Sequence, residues 1–239
     1  MTIRCLGRLQ IEVDGREVSR FQREPRLEFL VSYLILRQLA GGRGAGDRTA
    51  VADEIAPLIS SSNQKERLRK QLHELNATDP LFRRLVHADR SQVWIDMNPV
   101  DLDVTQLLRR AAALRARPEV IHGKEAEALQ MLMETSSDEF LAGFSELERL
   151  VTGARGTAGQ LVEQIRGQVA AARAEIALAL ADYYSALDQP ARAIPYLVDA
   201  RRGGSERQDI AKALVVAYLR TGDTAAATQI RREADLKEI

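Results

Sequence analysis

A repeat near the end of the chain narrows its possible folds more than any other feature. Residues 179–200 read ALADYYSALDQPARAIPYLVDA and residues 213–234 read ALVVAYLRTGDTAAATQIRREA. Aligned, they set Tyr184 on Tyr218, Ala193 on Ala227 and Ala200 on Ala234, each pair 34 residues apart. A large ring and two small residues recurring at one period point to a repeated helix hairpin, the ring of one helix packing against alanines of its neighbour. Such a unit cannot bury its apolar face alone, so stacked copies share a core. The copies also depart from an ideal pattern. Ser205 stands where a proline would close the first, and Arg231 takes a position that is usually large and apolar.

Helical patterning extends well beyond the repeat. Amphipathic stretches run at about 102–117, 123–135, 137–151, 159–187, 190–202, 206–221 and 223–236, and strand signals end at Asp101. Turn residues separate them: Pro118, Gly123, Ser136-Ser137, Gly156, Pro190, Gly203-Gly204 and Gly222. A period of 34 is that of the tetratricopeptide hairpin, so residues 98–239 are expected to form an all-α, tetratricopeptide-like domain. The boundary is expected at residues 98–101, NPVD.

Ahead of that boundary the chemistry differs. Ile3–Val13 (IRCLGRLQIEV) has strand character broken by Gly7, and Asp14-Gly15 is a hairpin dipeptide leading into EVSRF. At Pro25 the period changes: PRLEFLVSYLILRQLA is apolar at Leu27, Leu30, Val31, Leu34, Ile35 and Leu39, which predicts a buried helix ended by Gly41-Gly42. Residues 41–48, GGRGAGDR, read as a loop; they follow a helix and lack Gly-Lys-Ser/Thr, so they do not make a phosphate-binding loop. A short helix follows, weakened or ended by Pro57. Next comes SSNQKERLRKQLHELN, with Asn63 and Glu66 spaced as a capping box. Two strands, at about 83–88 and 92–96, then flank the turn Asp89-Arg90-Ser91. Sheet, three helices and a closing hairpin over residues 1–97 are the layout of a winged helix-turn-helix domain, which makes the front half α+β.

Bulk composition excludes some classes and leaves others open. The chain has 34 Lys/Arg and 34 Asp/Glu, so overall charge gives no hint of a partner. Residues 1–97 hold 16 basic against 13 acidic side chains, a net of +3, and residues 98–239 hold 18 against 21, a net of −3. A single cysteine, Cys5, cannot form an internal disulfide and reads as a small apolar residue in a strand. No apolar run approaches the ~18 residues of a membrane span, and the N-terminus alternates rather than carrying a signal peptide's apolar core, so the protein is expected in the cytoplasm with no membrane partner. His73, His87 and His122 lie far apart without cysteine partners, and no nucleophile-elbow or Walker motif occurs. Neither an enzyme nor a cofactor or metal is expected.

The order of these parts resembles bacterial transcriptional activators of the antibiotic-regulatory (SARP) type, which join an OmpR-like DNA-binding domain to a bacterial transcriptional activator domain (BTAD). LGRLQIEVDGREV is similar to that family's first sheet, EFLAGF (139–144) to a short motif early in its activator domain, and AYLRTGDTAAA (217–227) to its closing repeat. Together they cover nearly the whole chain. Family members usually end the second helix in Leu-Trp, where this chain reads EIAPLI, and many have a third helix poorer in acidic residues. The resemblance implies binding to direct repeats in promoter double-stranded DNA, contact with RNA polymerase and transcription activation. The helical half would supply protein contacts, including those of a homodimer.

The residues expected to carry the DNA contact centre on the third helix. With about 100° per residue, Leu68, Leu72 and Leu75 form a narrow apolar stripe, and Asn63, Glu66, Lys70 and His73 fall on the opposite side. That division suits a helix lying in a major groove. Asn63 and Lys70 are placed for base edges, with His73 on the same outward face; Lys65, Arg67 and Arg69 are placed for phosphates. Arg90 tips the hairpin, and Arg48 and Thr49 begin the preceding helix, whose N-terminus suits a phosphate. Residues 62–75 carry four basic and two acidic side chains, a net of only +2. The alternative therefore stays open: a protein-interaction module whose winged helix no longer binds DNA.

Overall fold

The structure, a computed structural model, describes residues 1–40, 45–55, 61–98, 100–116, 121–136, 138–152, 157–202 and 207–236. Within it a small mixed sheet at the N-terminus precedes a predominantly helical remainder. The breaks expected at Gly41-Gly42, Pro57, Pro118, Ser137, Gly156 and Gly203-Gly204 lie outside the described residues.

The opening strands follow the alternation of the sequence. β1 (Thr2–Arg4) pairs antiparallel with β2 (Gln10–Val13), which pairs antiparallel with β3 (Arg16–Glu17). Asp14 and Gly15 turn the second hairpin with φ of 49° and 77°, the two left-handed residues that an Asp-Gly turn between twisted strands requires. Two later segments complete this layer. β7 (Asp101–Leu102) runs parallel to β1, so strand pairing does not stop before Asp101; β1 itself supplies a partner that local sequence does not announce. Residues 140–142 lie beside residues 5–7: Leu141 N donates to Cys5 O at 2.7 Å and Ala142 N to Gly7 O at 2.8 Å. The EFLAGF segment is thus a docking strip for the first sheet, and the helix expected from residue 137 begins only at Phe144.

Asp103 fastens the same corner. Its carboxylate accepts from Cys5 N and Leu6 N, each at 3.0 Å. Cys5 is fully buried, and burial followed by the Asp103 charge pushes its thiol well above the usual range, so it remains a neutral packing group.

The next elements are α1 (Pro25–Leu39), β4 (Ala45–Asp47), α2 (Arg48–Ile55), α3 (Ser61–Thr78), α4 (Phe82–Leu85), β5 (Val86–Ala88) and β6 (Gln92–Ile95). Pro25 takes the first helical position of α1, and a wide face from Leu27 to Leu36 is buried. β4 corrects the loop expected over 41–48. Ala45, Gly46 and Asp47 have little strand preference, but they fill the free edge of β6 opposite Trp94, Val93 and Gln92, giving a sheet in the order β4-β6-β5. Residues 83–85, expected as strand, form a helical turn instead. Asp79 Oδ1 accepts from Leu81 N at 2.8 Å, and the turn buries Phe82 and Leu85, three residues apart, where a strand would separate them. Alternation in QVWID suggests Trp94 for the core of the hairpin sheet. The pleat instead buries Val93 and Ile95 and turns Trp94 to the opposite face, half-buried and stacked on His87 at 5.5 Å.

The chain divides into two compact units that a single cut at 98–101 does not describe. One comprises Met1–Asp103 with Phe140–Arg166, the other Val104–Glu139 with Gly167–Ile239. The pairing of Leu141 and Ala142 with the opening strand explains why residues 140–166 belong to the first. That unit also takes in α7 (Phe144–Thr152) and the start of α8 (Thr157–Ala186).

The second unit is helical throughout its described residues, from α5 (Asp103–Ala116) and α6 (Gly123–Thr135) to the remainder of α8 and to α9 (Ile194–Arg202), α10 (Gln208–Arg220) and α11 (Thr224–Glu233). Its repeat is written in the backbone as well as in the sequence. Gln189 N donates to Tyr184 O at 2.8 Å and, 34 residues on, Asp223 N donates to Tyr218 O at 2.9 Å. Leu187 N to Tyr183 O recurs as Thr221 N to Ala217 O, and Asp188 N to Ser185 O as Gly222 N to Leu219 O. The left-handed residue recurs too, Asp188 at φ 55° and Gly222 at φ 83°. Tyr184, Ala193 and Ala200 are buried, as is Ala227, whereas Tyr218 and Ala234 are only half-buried in the last hairpin.

Two outcomes follow from this packing. Asp103→Ala removes a charged acceptor from two backbone amides and should lower the free energy of unfolding by about 2–3 kcal/mol in urea titrations, with Asp103→Asn losing less. Ala200→Leu overfills a sealed site and should cost about 1–3 kcal/mol, while Ala234→Leu, at the equivalent half-open position, should cost much less in the same assay.

Candidate nucleic-acid interface

α3 begins at Ser61, so Asn63 and Glu66 lie inside it and do not cap it. Tertiary packing accounts for the extra turn: the buried stripe extends from Leu75 and Leu72 through Leu68 back to Gln64. Fixing three leucines on one side contributes roughly 1.5–3 kcal/mol each and leaves no freedom to rotate the helix about its axis. α3 packs on α1, α2, α4 and the 3-10 turn Arg20–Arg23. Phe21 of that turn meets Phe82 of α4 edge to face at 5.4 Å, closing the core beneath the helix.

The opposite side follows from that anchoring. Asn63, Lys65, Glu66, Arg69, Lys70, His73 and Glu74 are exposed and Arg67 is half-buried. Asn63, Glu66, Arg67, Arg69, Lys70, Gln71, His73 and Glu74 line one shallow cleft of about 720 Å³, which Arg26 of α1 completes. The residues expected to touch DNA are therefore not all equivalent. Asn63, Arg67, Arg69, Lys70 and His73 share this cleft, and Lys65 does not line it. Its formal charges are Arg26, Arg67, Arg69 and Lys70 against Glu66 and Glu74. Of these cations Lys70 is engaged, by Glu74 at 3.9 Å, an exposed pair worth about 0.3–0.5 kcal/mol and easily exchanged for another anion. Arg26, Arg67 and Arg69 have no carboxylate within ion-pair distance among the described residues.

Arg90 stands at the tip of the β5–β6 hairpin, exposed, on a turn that its neighbour builds. Asp89 Oδ1 accepts from Ser91 N and Gln92 N, both at 2.7 Å, and Asp89 N donates to Gln92 O at 3.0 Å. An aspartate that ties down nearby amides in this way holds a short turn in one shape. Thr49 is exposed in the first turn of α2. Arg48 begins that helix, and its side chain lies outside the described residues.

Two members of the cleft had no sequence signal. Arg26 follows Pro25 in the first turn of a helix whose pattern speaks only for its buried face. Gln71 lies between the buried stripe and Arg67 on the helical wheel; it is 3% exposed, and neither its amide oxygen nor its nitrogen has a hydrogen-bond partner. Among the described residues no three His, Cys, Asp or Glu side chains gather as a metal site, and no helix is long and apolar enough to cross a membrane. No protein-family model matches the chain, and no curated protein matches it.

The hairpin tip is directly testable. Asp89→Ala should speed amide exchange at Ser91 and Gln92 by tenfold or more, on the order of one charge-assisted hydrogen bond, and leave exchange in α3 unchanged.

Proposed function

We propose that the protein is a sequence-specific transcriptional regulator, an activator of the SARP type, binding double-stranded promoter DNA. The single observation that supports this reading most is the cleft on α3. One helix face is held to the core by Leu68, Leu72 and Leu75, and the other gathers Arg67, Arg69, Lys70, Asn63 and His73 in one open surface. In this reading residues 1–97 are an OmpR-like winged helix-turn-helix: α2 and α3 are the helix pair, α3 enters the major groove, and the β5–β6 hairpin is a wing whose Arg90 reaches the backbone or minor groove. Asn63, Lys70 and His73 face the base edges, and Arg67 and Arg69 flank them for the phosphates. The repeated hairpins act as a tetratricopeptide-like surface for protein contacts, with RNA polymerase or a second protomer, and the protein works in the cytoplasm without a cofactor.

A second reading, a winged helix turned protein dock, draws on Glu66 and Glu74 in the same cleft and on the Lys70–Glu74 pair. Salt dependence separates the two. Arg69→Ala with Lys70→Ala should weaken binding to a target duplex and reduce the slope of log K against log salt by about two, one for each cation removed from the phosphates. An unchanged slope removes α3 from the DNA interface and favours the docking reading.

A further inference from the structure

Arg26 is the one residue of the cleft that α3 does not supply, and its position extends the binding surface beyond the helix. On the helical wheel the outward residues run from Arg69 on one flank to Arg67 on the other. The cleft reaches below the helix surface only at Gln71, beyond Arg67 and next to the buried stripe, so its second wall, Arg26, stands on the Arg67 flank. α1 also packs directly against α3. Two guanidinium groups on separate elements thus border one side of the cleft, neither with a carboxylate partner among the described residues, above a buried glutamine amide whose oxygen and nitrogen are both unpartnered.

A duplex seated with α3 in its major groove presents a phosphate strand along each flank of the helix. The acid on this flank, Glu74, is turned toward Lys70, leaving the two guanidiniums free for an anion. Planar guanidinium groups match phosphate oxygens in pairs, and two of them on different elements fix a phosphate's position more firmly than one flexible side chain. We propose that Arg26 and Arg67 form a two-element clamp for a DNA backbone phosphate, with the Gln71 amide as the neutral hydrogen-bonding group at its base. The clamp rests on the reading of α3 as a DNA-binding helix and adds a register lock to it. A phosphate held between α1 and α3 fixes how far the helix slides along the groove, which the outward residues alone do not.

The test measures binding of the whole protein to a duplex retained from a random pool, over a salt range of roughly 50–200 mM. Arg26→Gln should reduce the slope of log K against log salt by about 0.9, so that wild-type affinity falls about 3.5-fold further than the variant's across that range. The loss should be equal on target and unrelated duplexes, since a phosphate carries no sequence, and Arg26→Lys should restore most of the slope. Arg23→Gln, on the preceding turn and outside the cleft, should leave the slope unchanged; an equal drop there would overturn the clamp by showing a diffuse charge effect. Gln71→Leu keeps the packing and should lower affinity about tenfold without altering the slope. Unaltered affinity would overturn the amide's part. An Arg26→Gln slope equal to that of wild type, with wild type binding tightly, overturns the clamp and leaves the reading of α3 intact. A wild-type protein that retains no duplex overturns both.

Discussion

Leu68, Leu72 and Leu75 are buried against the front core, and through them the rotational setting of α3 is fixed. Every property of the outward face depends on that setting. A turn of about 100° would bury Arg69 and expose a leucine, so the position of each cationic side chain is a consequence of apolar packing on the other side. The core beneath is itself closed by Phe21 and Phe82, which come from segments before α1 and after α3. A mutation at either ring would disturb the presentation of Arg67 or Lys70 without touching them.

A second constraint closes the front unit. The opening strand is completed by Asp101–Leu102 on one side, by the Asp103 carboxylate at its end, and by residues 140–142 beside Cys5 and Gly7. Arg166 of α8 adds a donor to the carbonyls of Phe140 and Leu141, at 3.1 and 3.4 Å. The EFLAGF motif is therefore a structural fastening whose glycine and left-handed Leu141, at φ 47°, turn the chain from strand into α7. In the second unit, the recurrence of three backbone hydrogen bonds and one left-handed residue at 34-residue spacing makes the hairpin turn itself the repeated object, with the tyrosine and alanines packing around it.

Elements with a strong local signal were legible in the sequence. The Asp-Gly turn, the Pro25 start of α1, the leucine stripe of α3 and the 34-residue repeat depend on near neighbours or on a fixed period, and each appears where the pattern put it. What escaped depends on distant partners. Ala45–Asp47 becomes a strand only because β6 has a free edge, Asp101–Leu102 only because β1 does, and Phe82–Leu85 coils because two apolar side chains must point the same way. The site divides in the same manner. The outward face of α3 could be laid out from its period, whereas Arg26 joins it through helix packing, and the unpartnered amide of Gln71 is visible only once its surroundings are known.

Whether the face opposite the leucine stripe reads DNA is tested most directly by selection. The intact protein is offered a random pool of duplexes, and the retained fraction is sequenced. The predicted result is enrichment of one short sequence, recurring as a direct repeat, with the enrichment abolished in the Arg69→Ala, Lys70→Ala variant. Retained duplexes with no enriched sequence, or the same enrichment with the variant, would contradict that role for α3.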